Sequence, residues 1–255
     1  MSYFDTHAHY DWKEFDNDRE KIFKNLQEYS SGVVNIGMGI ESAKKIFNYA
    51  EQYKNLYCAI GIHPLDTSKN MSIEEFKKFV SENRNKIIAI GEIGLDYHSD
   101  IPKDVQMVYF KEQIQLANRL DLPVIIHARE SHEDIIKVLK ENQVKRVGII
   151  HCYSGNMEQS KEYIELGFYI AFGGTLTRKE EIREVFKSLP IDKILLETDA
   201  PLLPPLPFEK SDRNETKYLK YIAEKMAELK GFSVEEIAEI TTKNAYKLFY
   251  INSSI

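Results

Sequence analysis

The feature that most constrains this chain is an alternation. Short apolar runs rich in β-branched residues recur along it, each followed by a stretch with helical periodicity. The runs are YFDTHA from Tyr3, VVNIG from Val33, YCAIGIH from Tyr57 and IIAIGE from Ile87. They continue with VIIHA from Val124, VGIIH from Val147, FYIAFGG from Phe168 and ILLETD from Ile194. Between them lie amphipathic segments such as IEEFKKFVSENRN and VYFKEQIQLANRL. Strands this apolar are buried on both faces, as parallel strands between helices are. Eight such units over about 250 residues predict a closed (β/α)8 TIM barrel, an α/β fold. We expect a single domain over residues 1–255.

Two segments fall outside the repeat. The tail FSVEEIAEITTKNAYKLF predicts one or two extra C-terminal helices, with Ser233 as N-cap and Glu236 completing a capping box. PLLPPLPFEKSDRNE follows the eighth run, and its prolines exclude a helix or a central strand. A barrel helix must still start near Thr216, so this segment is expected to be a stiff loop over the barrel mouth.

Composition narrows the function classes. The net charge of −6 provides no global basic field, so tight nonspecific binding to nucleic acid is not expected. The cysteines, Cys58 and Cys152, form neither a metal spacing nor a disulfide framework. They suit a reducing cytoplasm. The first residues, MSYFDTHAHYDWKEFD, lack the basic start and long apolar core of a signal peptide. No apolar run approaches the roughly 18 residues of a membrane span.

The polar residues cluster at the predicted strand ends. His7 and His9 end the first run, His63 the third, Glu92 the fourth, His127 the fifth, His151 the sixth and Asp199 the eighth. Barrel active sites are built at the C-terminal ends of strands. Residues i and i+2 of a strand face the same side, so His7 and His9 can aim at one point. That pair alone is equally compatible with a structural role. Together with Glu92, His127, His151 and Asp199 it predicts a metal centre, because isolated buried ionisable groups each cost desolvation that shared coordination removes. His63 is expected to bind substrate or support a ligand. His98 and His132 are expected at the surface, and Cys152 is expected to pack beside the site without acting as a nucleophile. Tyr97 and Phe208 are candidates for stacking a base or for packing.

The motifs FDTHAHYD, GIHP, GEIGLDYH, LPVIIHARES, HCYSG and ETDAPLLP, in this order along the chain, resemble the TatD family of metal-dependent deoxyribonucleases among the amidohydrolase-like barrels. The resemblance implies two divalent ions. His7, His9, Glu92 and Asp199 would hold one, His127 and His151 the second, with Glu92 bridging. The resemblance departs at Glu209–Asp212, where many relatives carry basic or flexible residues; Arg213 and Asn214 match.

The expected reaction is metal-dependent phosphodiester hydrolysis, with Asp199 and Glu92 as catalytic carboxylates. The metals, Mg²⁺, Mn²⁺ or Zn²⁺, would activate a water. Arg129 and Arg213 are candidates for phosphate contacts, with surface ion pairs as the competing role. The negative net charge and a deep mouth favour 3′–5′ exonuclease action on single-stranded or frayed DNA; a monomer with no obligate protein partner is the default expectation. The rivals are a carbonyl hydrolase, such as a D-aminoacyl-tRNA deacylase, and a binding module that retains metal without turnover. The absence of a lysine at any predicted strand end favours the phosphodiesterase, since many carbonyl hydrolases of this superfamily bridge their metals with a carboxylated lysine.

Overall fold

A computed structural model of the chain describes residues 2–68 and 72–251. Eight parallel strands follow one another in sequence order around the sheet. They are β1 (Tyr3–Ala8), β2 (Ser30–Met38), β3 (Leu56–Gly61), β4 (Ala89–Asp96), β5 (Val124–Arg129), β6 (Ile149–Ile150), β7 (Tyr169–Phe172) and β8 (Ile194–Leu196). The helices between them are α1 (Arg19–Asn25), α2 (Ile40–Gln52), α3 (Ile73–Glu82), α4 (Lys103–Leu120), α5 (His132–Glu141), α6 (Met157–Glu165), α7 (Thr175–Arg178) and α8 (Glu180–Ser188). They are followed by α9 (Leu219–Lys230) and α10 (Val234–Phe249). The strand–helix alternation thus forms the TIM barrel that the hydrophobic pattern predicts. Among the described residues no helix is long and apolar enough to cross a membrane.

Burial on both strand faces gives the core an outer and an inner layer, beside a smaller third cluster around Tyr10, Phe15 and Phe23. One cluster packs strand residues such as Ile60, Ile90 and Ile126 against Phe47, Phe110 and Ile135 of the surrounding helices. The other fills the barrel with residues from every strand, including Phe4, Ile36, Ala59, Ala89, Ile125, Ile149, Ala171 and Leu195. Ala245, Leu248 and Phe249 of α10 join that interior cluster. The tail therefore supplies one extra helix, which plugs the barrel, while α9 is the eighth barrel helix. The capping box of α10 is formed: Ser233 N–H donates to Glu236 at 2.8 Å and Glu236 N–H to Ser233 Oγ at 3.2 Å.

The ring closes at a narrow seam between β8 and β1. A single parallel bridge joins Ala8 and Ala200, and Asp199 N–H donates to the His7 carbonyl at 2.9 Å. Buried Asp5 reinforces the seam by accepting from Thr198 N–H at 3.0 Å and from the hydroxyls of Thr198 and Thr216, each at 2.7 Å.

The proline-containing segment crosses the mouth with no helix or strand between Ala200 and Glu215. It is pinned rather than loose. The Asn214 side-chain amide donates to the carbonyls of Thr198 and Leu202, both at 2.8 Å. Arg178 holds the Pro204 carbonyl at 2.9 Å, and a Cβ on Gly174 would lie 2.0 Å from the Leu203 carbonyl oxygen. Gly174 thus permits the close backbone approach on which the loop rests.

Candidate metal centre

Strand geometry assembles the site. Glu92 lies inside β4, four residues before its end, rather than at the end as the sequence pattern suggests. With period-two alternation, Glu92, Gly94 and Asp96 share the inward face. The Glu92 backbone is held close to β3, since a Cβ on Gly61 would come within 2.4 Å of the Glu92 carbonyl oxygen. His151 and Asp199 follow the short strands β6 and β8, and Asp199 adopts a left-handed φ of 60°. A short polar residue tolerates that conformation.

The structure brings His7, His9, Glu92, His127, His151 and Asp199 together with His63. Glu92 stands between two groups of nitrogens, one on each carboxylate oxygen. Its Oε2 lies 3.3 Å from His7 Nε2 and 3.9 Å from His9 Nε2. Those two nitrogens are 3.1 Å apart, and Asp199 Oδ1 lies 3.4 Å from His9 Nε2 and 3.7 Å from His7 Nε2. A hydrogen bond between the imidazoles would satisfy only one pair of these atoms. A divalent ion satisfies all of them, which is the test that the donor set passes.

Glu92 Oε1 faces His151 Nε2 at 2.8 Å, His127 Nδ1 at 2.9 Å and His63 Nε2 at 3.3 Å. Their opposite ring nitrogens separate their roles. Asp96 Oδ2 lies 3.0 Å from His127 Nε2. A proton shared there leaves the Nδ1 lone pair aimed at Glu92, an arrangement that requires a proton or a metal cation in between. His63 is turned the other way: its Nδ1 accepts from Leu65 N–H at 3.1 Å, and its Nε2 stands 3.3 Å from Glu92 Oε1. With one ligand atom each from His63, Glu92 and His127 within 4.8 Å of one another, His63 belongs to this half of the donor set.

The electrostatics agree with this arrangement. Burial alone would raise the Glu92 carboxyl, yet the imidazoles of His151, His63 and His7 hold it well below the usual range. Burial opposes charge on His151, but Glu92 and Glu197 hold it well above the ordinary histidine value. The cluster is thus built around positive charge next to ionised carboxylates, which ions would supply.

The other sequence candidates divide. Arg129 is exposed, lines the cavity and has no side-chain hydrogen bond or ion pair among the described residues. Arg213 also lines the cavity, but its guanidinium donates to Asp18 at 2.6 and 2.8 Å and to Glu215 at 3.0 Å. Phe208 is stacked on Tyr218 with centroids 4.0 Å apart, and the Tyr97 hydroxyl donates to Asp134. His98 is exposed and faces Glu130 at 3.0 Å.

His132 does not lie at the surface. It opens α5 as expected, but its ring is buried between Tyr163 and Ser154 because the first turn of α5 faces the barrel wall. Burial, followed by the charge of His127, pulls it down to about 4, so it stays neutral. Cys152 is half-buried beside the site and reaches the cavity wall, and burial and the nearby carboxylates push its thiol well above its ordinary value, which disfavours a thiolate nucleophile. Asp96 and Glu197 went unassigned in the sequence. The i+4 spacing of Asp96 from Glu92 becomes informative only because β4 runs on to Asp96. Glu197 is fully buried and holds Cys152 N–H.

The cavity above these groups measures about 780 Å³, and its wall includes Trp12, Leu65, Arg129, Lys179, Leu202 and Lys210. The model of the TatD-related DNase family matches residues 4–250. The chain is 43% identical over 98% of its length, and 99% of the relative's, to YabD of Bacillus subtilis, described as an uncharacterized metal-dependent hydrolase. The crystal structure of the TatD homologue YjjV from Escherichia coli superposes with a TM-score of 0.92 at 33% identity, covering 98% of both chains. A TatD-family hydrolase from Entamoeba histolytica, at 21% identity and TM-score 0.89, shares the fold over 99% of both chains.

Proposed function

This chain is a metal-dependent hydrolase of the TatD-related DNase family, and on that premise we propose that it hydrolyses DNA phosphodiester bonds, removing nucleotides from a single-stranded or frayed 3′ end. Two divalent ions, Mg²⁺, Mn²⁺ or Zn²⁺, serve the reaction. The observation that carries this reading is the division of Glu92, one oxygen toward His7, His9 and Asp199 and the other toward His127 and His151. A carboxylate has oxygens for two ions, whereas each imidazole lone pair serves one.

Bound divalent ions lower the pKa of water and offset charge developing on a phosphoryl group. The chain's own residues do the rest. Asp199 Oδ1 faces His9, while Oδ2 has no hydrogen-bond partner among the described residues. Oδ2 is the atom that takes the proton of the attacking water. His63, whose Nε2 stands 3.3 Å from Glu92 Oε1, keeps that carboxylate oriented. Asp96 holds the ring of His127. Arg129, Lys179 and Lys210 line the cavity as exposed cations without an ion pair among the described residues, and they attract the phosphates. Arg213, neutralised by Asp18 and Glu215, shapes the mouth instead. The pinned loop over the cavity and the net charge of −6 favour a chain end over a continuous duplex.

The test is metal-stripped protein incubated with a 5′-labelled single-stranded oligonucleotide and Mg²⁺, Mn²⁺ or Zn²⁺ added separately. A ladder of products shortened from the 3′ end, lost in His127→Ala and Asp199→Asn proteins, is the expected result. Long fragments early in the time course would refute exonuclease action. No cleavage with any metal would refute the phosphodiester substrate and direct the search to aminoacyl esters.

A further inference from the structure

The cavity has an aromatic wall that the reaction above does not use. Trp12 is the only tryptophan of the chain. It lies three residues past His9, half-buried, and its indole stacks on the His9 imidazole with centroids 4.7 Å apart and planes 27° apart. Its backbone is fixed on both sides: the N–H donates to the His9 carbonyl at 3.2 Å, and its carbonyl accepts from Arg19 at 2.8 Å. The indole N–H has no hydrogen-bond partner among the described residues. Exposed leucines continue the apolar surface: Leu65, Leu202 and Leu203 are 42–45% exposed and line the same cavity. Soluble proteins gather such residues where something apolar binds.

Strand order fixes where this wall stands. Trp12 and Leu65 follow β1 and β3, whereas Arg129 ends β5 and Lys179 follows β7. In an eight-stranded ring these are opposing sectors, with Glu92 of β4 between them. The mouth is therefore aromatic beyond β1 and cationic beyond β5 and β7, while Leu202 and Leu203, which follow β8, form an aliphatic stretch between those sectors, Leu203 beside Lys179. A nucleotide has the matching asymmetry, a flat base at one end and a phosphate at the other.

Resting on the nuclease reading above, we propose that Trp12 is the base-binding residue of the cavity. The base of the nucleotide at the strand end stacks against Trp12, and its phosphate lies toward Arg129 and Lys179 over Glu92. The substrate class narrows accordingly, to strand ends that carry an intact base. Stacking is tolerant of base identity, so no sequence preference follows.

The experiment pairs two substrates with three proteins. Oligothymidylate and an oligonucleotide of equal length with abasic residues at its 3′ end are compared on wild type, Trp12→Ala and Trp12→Phe, all metal-loaded. Expected is a rise in KM for oligothymidylate of about 5- to 150-fold in Trp12→Ala, the value of one stacked base, with kcat within about threefold of wild type. Trp12→Phe recovers most of the loss, and the abasic substrate is weak and indifferent to both substitutions. Independently of turnover, the single-tryptophan emission of the wild type is quenched by oligothymidylate and not by the abasic strand. Equal KM values for wild type and Trp12→Ala, or equal quenching by both strands, would overturn the assignment. Loss of activity in Trp12→Ala without recovery in Trp12→Phe, or with kcat alone reduced, would also overturn it. Failure of the wild type to cleave either strand would refute the nuclease reading instead, and the quenching comparison would still decide the role of Trp12.

Discussion

His132 makes the stability of this protein depend on pH in a calculable way. Its ring is 7% exposed, with Nδ1 3.1 Å from the Tyr163 hydroxyl and Nε2 3.3 Å from Ser154 Oγ. Burial brings it from 6.5 in the open chain to about 4 in the fold. Above pH 6.5 the imidazole is neutral in both states and its contribution is complete. As the pH falls, the unfolded chain takes the proton first, so stability is lost through the window from 6.5 to 4. With each pKa unit equal to about 1.4 kcal/mol, the loss is about 0.8 kcal/mol at pH 6, about 2 at pH 5 and about 3 at pH 4. The assay is urea unfolding of metal-stripped protein at pH 7.5, 6 and 5, on wild type and His132→Gln. The glutamine keeps a polar group but does not titrate, so the difference between the two curves isolates His132 from the other acidic transitions. A difference flat to within about 0.5 kcal/mol from pH 7.5 to 5 would refute a buried neutral imidazole.

Three further outcomes test the site. Asp96→Asn should weaken metal binding about 10- to 100-fold by loosening His127, read by competition with a chelating dye; unchanged affinity would mean that His127 is oriented without it. Gly61→Ala should cost about 1–3 kcal/mol in denaturant unfolding, because its Cβ meets the Glu92 carbonyl; wild-type stability would show that β3 and β4 separate freely. A metal at 100 times its dissociation constant should stabilise the fold by about 2.7 kcal/mol in thermal scans, and the gain should fall in His127→Ala. An equal gain in that variant would place the ion elsewhere.

The fold was legible because parallel barrel strands are buried on both sides and read as unbroken apolar runs. Their lengths were less so. β6 and β8 are short, ending one and three residues before His151 and Asp199, while β4 continues four residues past Glu92 with every residue buried. The residues carrying metal-ligand chemistry stood out by type and position. Those that support them did not: Asp96 reads as an ordinary loop acid, and only β4's true length places it on the face of Glu92. His132 was misplaced because a first-turn polar residue usually faces solvent, and nothing local signals that Tyr163 and Ser154 close over it. Arg213 shows the reverse limit, as its acidic partner Asp18 is distant in sequence. Trp12 carries no motif, and its stacking on His9 is a fact of three dimensions.

The seam between β8 and β1 has a consequence for how the protein comes apart. A barrel is a hoop, and this one is fastened by one backbone bridge and by side chains from residues 193 positions apart, Asp5 and Thr198. His7 and His9 hang from one edge of that join and Asp199 from the other. An ion held by all three would be a cross-link between the first and last staves of the hoop, closing a loop that contains most of the chain. In the chain-entropy picture, a tie across a loop of 100 residues or more restricts the open state by about 4–5 kcal/mol. On the proposed reading the ion that serves the chemistry would also be the clasp, and hydrogen exchange along β1 and β8 should slow selectively when metal is added.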